Sequence, residues 1–307
     1  MCYDIRMETR IIHILKNTGP LTGSELLEAT GDEDLGVWRT CKLSRKLAVR
    51  TIGTHYLRLD RNVPGFARIS PSILREFLTF SLIGLRQDPD RLEQKAREQI
   101  SHIEAISRAK INLAYRIASS VVSRFETEYA LNNQISFIIA GDIVYNMAHD
   151  VPRPERSTGK MVTGSDMDLV VIVDDALQQD LMKKLDDHIY TEKIRLLMAP
   201  HLKEEIDYIV KRLARVREQV RFKTFKHMVA CKILYEGTFL YGSEKIFSSV
   251  KAMLRESDAF EKIKVLEKKA ARFRREAEEY LLHEAPQRIP PDKRYLFYPT
   301  EESEEFE

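Results

Sequence analysis

Gly164-Ser165-Asp166-Met167-Asp168-Leu169-Val170-Val171-Ile172-Val173 decides how this chain is read. The apolar tail from Leu169 to Val173 predicts a buried strand, and side chains two apart in a strand share one face. Asp166 and Asp168 are therefore expected to point the same way. Such a pair sets two hard oxygen ligands side by side, the arrangement that divalent-metal phosphoryl chemistry requires. A third acid follows at Asp207, within Glu205-Ile206-Asp207-Tyr208-Ile209-Val210, another short apolar strand candidate.

The 307 residues exceed one average domain, so two or three compact units are expected. A hydrophobic share of 43% and a charged share of 31% describe a globular protein with material for a sizeable core. The sequence has no apolar run long enough to span a bilayer, which argues against a membrane partner. The opening residues Met1-Cys2-Tyr3-Asp4-Ile5-Arg6 have no apolar core before a cleavage-like site, and this predicts a cytoplasmic protein. Cys2, Cys41 and Cys231 are scattered without a CxxC or a histidine at ligand spacing. Reduced thiols fit this better than a disulfide framework or a zinc site.

The net charge of +2 says little as a total, whereas its distribution is informative. Arg39, Lys42, Arg45, Lys46, Arg50, Arg58 and Arg61 crowd one N-terminal stretch, opposed mainly by Asp60. Glu301, Glu302, Glu304, Glu305 and Glu307 make an acidic tail. Apolar spacing predicts a helix over 7–16 and a second one capped by Thr22 or Ser24 and ended at Thr30-Gly31-Asp32. A third is predicted over 33–46, with Leu35, Trp38, Cys41 and Leu43 inward and Arg39, Lys42, Arg45 and Lys46 outward. Residues 49–52 and 55–59 then alternate as two strands around Gly53-Thr54, a hairpin pattern. Three short helices and a hairpin with basic residues resemble a winged helix-turn-helix domain. That resemblance implies that the third helix reads double-stranded DNA while hairpin cations, Arg50 and Arg58 among them, contact phosphates. The plainer alternative is a small packing or dimerisation module with a solvated basic face.

Residues 71–130 read as almost entirely helical, with a break at Gln87-Asp88-Pro89-Asp90. A long helix from about Leu92 to Phe125 is expected to be scaffold, with a homodimer seam as its second reading. Ile135 to Gly141 reads as a buried strand ending at a glycine, 143–149 as a short helix, and 151–163 as a polar, basic loop. After Asp207 helices are expected at 222–235, 243–255 and about 258–283, before Pro286, Pro290 and Pro291 end the order.

Strand, Ala140-Gly141-Asp142 turn, helix, loop, Gly164-Ser165-Asp166-Met167-Asp168 and a later Asp207 together resemble the DNA polymerase β superfamily of nucleotidyltransferases. The resemblance implies Mg²⁺ (or Mn²⁺) held by Asp166, Asp168 and Asp207. It also implies transfer of a nucleoside monophosphate from a nucleoside triphosphate to a hydroxyl acceptor, with these three acids as the catalytic and metal residues. Gly141, Asp142, Gly164, Ser165, Lys160 and Tyr241 are the expected nucleotide-binding set. Isolated Asp-x-Asp pairs are common surface features, so the surrounding glycines and strands carry the match. Asp142 departs from the family's usual serine. A carboxylate there repels phosphate, and the blander reading is that Asp142 caps the following helix. Arg153, Arg156 and Lys160 lie in the long intervening loop, where Ser157-Thr158-Gly159-Lys160 reads either as a mobile flap carrying cations to the triphosphate or as a solvated loop. Tyr241 reads as a base-stacking or a core residue, and Ser243 as a helix start. Lys226, His227 and Lys232 read as triphosphate ligands or as an ordinary charged face.

The expected fold class is α+β. Its expected parts are a winged helix at 1–65, a helical connector at 66–130, a nucleotidyltransferase core with a mixed sheet at 131–212, helices at 213–285 and a disordered tail at 286–307. The alternative function is a DNA-binding transcriptional regulator whose nucleotidyltransferase fold senses a nucleotide without turnover.

Overall fold

Among the described residues, hydrophobic side chains gather into cores that include two built by different sets of elements. The structure is a computed structural model that describes residues 5–63, 65–125, 131–155, 157–284 and 288–298. It combines helices with several small sheets, an α+β arrangement. Contacts divide it into two units, one formed by the residues up to His102 together with those from Leu266 onward, the other by Ile103–Val265. This grouping cuts across the five expected segments, because two long helices each begin in one unit and end in the other.

The first unit opens with α1 (Ile5–Thr18), β1 (Leu21–Thr22) and α2 (Gly23–Thr30). Thr22 caps α2 as expected. Its hydroxyl accepts from Glu25 N at 3.2 Å while Glu25 Oε2 accepts from Thr22 N at 2.7 Å, a reciprocal capping box. Then come α3 (Asp34–Leu43), β2 (Leu47–Thr51), β3 (Tyr56–Leu59), β4 (Ala67–Ser70), α4 (Ile73–Phe80), β5 (Ser81–Leu85) and α5 (Pro89–Ser123). The expected hairpin is corrected here. β2 does not pair with β3; it pairs antiparallel with β5 in a sheet ordered β1-β5-β2, while β3 pairs with β4. Residues 81–85, expected as helix, form the central strand of that sheet. Leu82 and Ile83 are completely buried there, and an apolar run this short carries no period that tells strand from helix.

The second unit contains β6 (Ile135–Ala140), a 3₁₀ turn (Gly141–Tyr145), β7 (Pro152–Pro154), β8 (Met161–Thr163), β9 (Met167–Val173), α6 (Gln179–Met198), β10 (Ile206–Arg212), α7 (Leu213–Gln219), α8 (Phe225–Glu236), β11 (Thr238–Gly242), α9 (Glu244–Glu256) and α10 (Ala259–His283), which runs on into the first unit. The main sheet is ordered β10-β9-β6-β11, with β9 and β10 parallel and the other pairs antiparallel. Leu169 to Val173 are almost wholly buried because β9 is an interior strand covered on both faces. Side chains of this kind contribute roughly 1.5–3 kcal/mol each when fully buried. Ala114, Ile117, Val121 and Val122 of α5, and Leu185 and Ile189 of α6, complete this core.

Within the tail expected to be disordered, residues 288–298 are described and structured. Pro291–Leu296 form a 3₁₀ helix and Phe297 is fully buried in the first core, against Trp38 at 5.4 Å between ring centres. The acidic residues 301–307, expected to be disordered, lie outside the described residues. No helix among the described residues is long and apolar enough to cross a membrane.

Candidate metal centre

Parallel pairing of β9 with β10 sets Asp168 directly opposite Asp207, and Asp166 immediately precedes β9. Carboxylate oxygens of Asp166, Asp168 and Asp207 lie within 4.8 Å of one another, and all three residues are partly exposed. On its other side Asp168 is paired in register with Ala140, the last residue of β6. The chain turns there at Gly141 with φ of +77°, and a Cβ at this position would lie 2.1 Å from Asp168 Oδ2. Both the left-handed backbone and the missing side chain are therefore required. Gly164 has the same double requirement, with φ of +67° and a virtual Cβ 1.6 Å from the His149 carbonyl oxygen.

Cations and a fourth acid surround the three aspartates. Arg153 on β7 reaches Asp166 Oδ2 at 3.5 Å and Glu205 Oε2 at 2.9 Å, and its Nε donates to the Gly164 carbonyl at 2.9 Å. Lys193 on α6 donates to Asp207 Oδ1 at 2.9 Å. Glu205 is buried, and burial pushes its carboxyl up to about 7; Arg153 opposes the rise, while the charges of Asp166 and Asp207 add to it. Arg153 and Lys193 thus pair with Asp166 and Asp207 of this acidic cluster.

A second cluster lies under the glycine turn. Glu236 and Lys232 on α8 form an ion pair at 2.9 Å whose side chains are 1% and 3% exposed. Glu236 Oε1 accepts from Gly141 N at 3.3 Å and Oε2 from the Tyr145 hydroxyl at 2.8 Å. Lys232, read as a triphosphate ligand or as part of an ordinary charged face, is not on an exposed face; it is the buried counterion of Glu236. The Gly141 amide, expected to meet phosphate, already has a carboxylate.

Asp142 does not cap the short helix. The N-cap is Ala140, and Asp142 Oδ2 accepts from the Ser165 hydroxyl at 3.3 Å, tying the turn to the strand entry. Ser165 also accepts from His149 N at 3.2 Å, so Gly141, Asp142, Gly164 and Ser165 do gather around the acids. Lys160 and Tyr241 do not. Lys160 is exposed at the end of the β7–β8 hairpin with its amine against Met198 Sδ, and Arg156 lies outside the described residues. In the segment read as a flap or a solvated loop, Glu155 gathers the turn: burial would raise its carboxyl, but hydrogen bonds from the hydroxyls and amides of Ser157 and Thr158 hold it down to about 2. Tyr241 pairs in register with Phe137, three residues from the acids' end of β6, and packs edge-on against Tyr115 at 5.5 Å. Ser243 caps α9 through Ile246 N.

The basic N-terminal stretch fares differently. Arg39, expected to face outward, is 5% exposed and donates to the carbonyls of Leu281 and Glu284, so it ties α3 to the end of the C-terminal helix. Leu35, Val37, Trp38, Thr40 and Cys41 are buried around it. Lys42 and Arg58 are half-buried, Lys46 pairs with Glu8 at 3.3 Å, and Arg50 pairs with Glu93 at 3.2 Å. Arg45 is exposed.

Sequence reasoning missed Glu205, Lys193 and Glu236. Glu205 lies two residues before Asp207 and so shares its alternation, which is a usable signal. Lys193 and Glu236 sit on helices whose docking no local pattern specifies. Comparisons with protein-family models, curated proteins and solved structures return no match. The site's reading therefore rests on its chemistry. Three clustered carboxylates repel unless a cation neutralises them, and hard oxygen donors suit Mg²⁺ or Mn²⁺ over a soft-ligand metal.

Proposed function

We propose that this chain is a divalent-metal-dependent nucleotidyltransferase resembling the DNA polymerase β superfamily, moving a nucleoside monophosphate from a nucleoside triphosphate to a hydroxyl acceptor. One observation carries the reading: three carboxylates at the starts of adjacent parallel strands converge within 4.8 Å beside a glycine turn. Asp166, Asp168 and Asp207 would hold the metal. Bound there, Mg²⁺ or Mn²⁺ supplies Lewis-acid chemistry, lowering the pKa of an attacking hydroxyl and neutralising phosphate charge. The chain's own residues do the positioning. Gly141 admits Asp168 at close range, Glu236 fixes that turn from beneath, and Arg153 and Lys193 balance the acids and can turn toward phosphate oxygens. On this reading residues 131–212 form the nucleotidyltransferase core.

The test is pyrophosphate release from labelled nucleoside triphosphates with Mg²⁺ or Mn²⁺ and candidate acceptors. Turnover that vanishes in Asp166→Asn and Asp168→Asn supports the proposal; turnover that survives both changes refutes it.

A nucleotide-sensing regulator without turnover is the second reading, favoured by Glu236 on the Gly141 amide and by Asp142 in place of a neutral hydroxyl. Nucleotide binding in the absence of pyrophosphate release selects it. We keep a winged-helix-like, DNA-binding N-terminal unit as part of either proposal, carried by the exposed Arg45, Lys46 and Arg50 and not by Arg39. Duplex retention that falls steeply with salt checks this.

A further inference from the structure

The main sheet of the second unit ends in two edge strands of different character. β11 spans five residues, closes on Gly242 at φ of +92°, and breaks register against β6 between Phe239 and Tyr241. Short length, glycine and irregular register keep an edge from pairing with another chain. β10 has none of these. Its seven residues, Ile206-Asp207-Tyr208-Ile209-Val210-Lys211-Arg212, hold unbroken parallel register with β9 and include neither glycine nor proline. Among the described residues no strand pairs with its outer side, and no group outside β9 is hydrogen-bonded to the backbone of residues 207–211. Alternate residues of such a strand aim N–H and C=O groups away from the sheet. Tyr208, Ile209 and Val210 at its middle are large, mainly apolar and only half-buried.

Charge selects the strand that fits this edge. β10 is acidic where it begins, with Asp207 beside Asp166 and Asp168, and basic where it ends, with Lys211 and Arg212. At the acidic end Lys193 pairs with Asp207, and Arg153 with Asp166 and Glu205. At the basic end the buried Lys211 donates to Gln219, and the half-buried Arg212 donates to the carbonyls of Asp174, Asp175 and Leu177 and to Gln179 Oε1. Neither of these two cations has a carboxylate hydrogen-bond partner among the described residues. Arg217 and Arg215 of the following helix α7 are paired with Asp175 and Glu218. A second copy laid antiparallel about Ile209, the middle residue, sets Tyr208 of one copy opposite Val210 of the other and each acidic end opposite a basic end. Parallel pairing would set like ends together.

We propose that two copies of this chain pair through β10, antiparallel about a two-fold axis at Ile209, so that their four-stranded sheets join into one. The seam is β10 and not the long helix α5. Pairing requires neither metal nor nucleotide.

Sedimentation velocity on the full chain at about 50 µM is expected to show a dimer. Ile209→Lys and Ile209→Glu each bring like charges together at the axis, and each is expected to weaken the dimer at least about tenfold while circular dichroism shows the fold retained. An equimolar mixture of the two variants, one of them isotope-labelled, is expected to regain a dimer with one copy of each, read by native mass spectrometry. Hydrogen exchange of the wild type covers the case in which these variants do not fold: amides in residues 207–211 are expected to exchange more slowly at about 50 µM than at about 1 µM. A wild type that stays monomeric at about 50 µM leaves the edge to another protein's strand and overturns the proposal. So does a dimer that both folded variants retain, a mixture of them that stays monomeric, or exchange in residues 207–211 that is independent of concentration.

Discussion

The aspartate cluster and the basic N-terminal helix began as equals, two runs of like charge that the sequence marked as functional faces. Their fates differ. The acids converge because strand alternation and parallel register act on residues two apart and on the neighbouring strand, leaving little freedom in where the carboxylates point. Helix α3 has no such protection. A helix face is exposed only until another segment packs on it, and here Ala277, Leu281, Ile289 and Phe297 join its core, with Phe297 on Trp38 and the end of α10 on Arg39. Charge in a strand pair is a statement about direction, whereas charge on a helix is a statement about direction only if nothing covers it.

Changes on either side of this contrast can break it. The largest expected effect is Glu236→Ala, which leaves the Lys232 ammonium buried without its carboxylate and costs about 3–5 kcal/mol; urea denaturation measures it, and a loss below about 1 kcal/mol would mean the cluster is not a structural floor for the Gly141 turn. Gly141→Ala acts on the acids directly. The added Cβ must displace Asp168, so turnover is expected to drop on the order of 10²-fold while the protein stays folded, and an unchanged rate would detach Asp168 from the chemistry. On the other side, Arg39→Met is expected to lower stability by about 1–3 kcal/mol, by removing the guanidinium donor to the buried Leu281 carbonyl and the partly buried Glu284 carbonyl. Its duplex-DNA retention should match wild type, whereas Arg45→Ala with Arg50→Ala should lower retention; a specific loss with Arg39→Met would restore α3 as a reader.

The smallest effect separates two kinds of buried cation. Burial lowers the Lys211 amine to about 8, where it donates to Gln219 Oε1 at 2.9 Å. Between about pH 8 and the ordinary lysine value the unfolded chain binds more protons than the folded one, so folding stability rises with pH across that window. Lys211→Met removes this contribution. The melting temperature of the wild type should therefore gain on that of the variant between pH 8 and 10, and a constant difference would show that Lys211 does not titrate there.

Much of the centre was legible because its signals are local. Gly141, Gly164, Ser165 and the three aspartates each announce a turn or a strand entry within a few residues. Thr22 with Glu25 announces α2 equally well. What escaped depends on distant partners: β5 looks like helix until β1 and β2 pair with it, β2 and β3 look like a hairpin until β5 and β4 take them, and Lys232 looks like surface until Glu236 is seen beneath Gly141. Tyr241, read as a base-stacking or a core residue, packs against the core. Its register opposite Phe137, which puts it away from the acids, follows from antiparallel pairing with β6 and from the irregularity between Phe239 and Tyr241.

The central claim, that Asp166, Asp168 and Asp207 form one divalent-metal site, is tested most directly by Mn²⁺ titration followed by electron paramagnetic resonance, with and without a nucleoside triphosphate. The account predicts saturable Mn²⁺ binding by the wild type that weakens at least about tenfold in Asp166→Asn, Asp168→Asn and Asp207→Asn alike, each change removing one ligand. Equal Mn²⁺ affinity in the wild type and all three variants would contradict it.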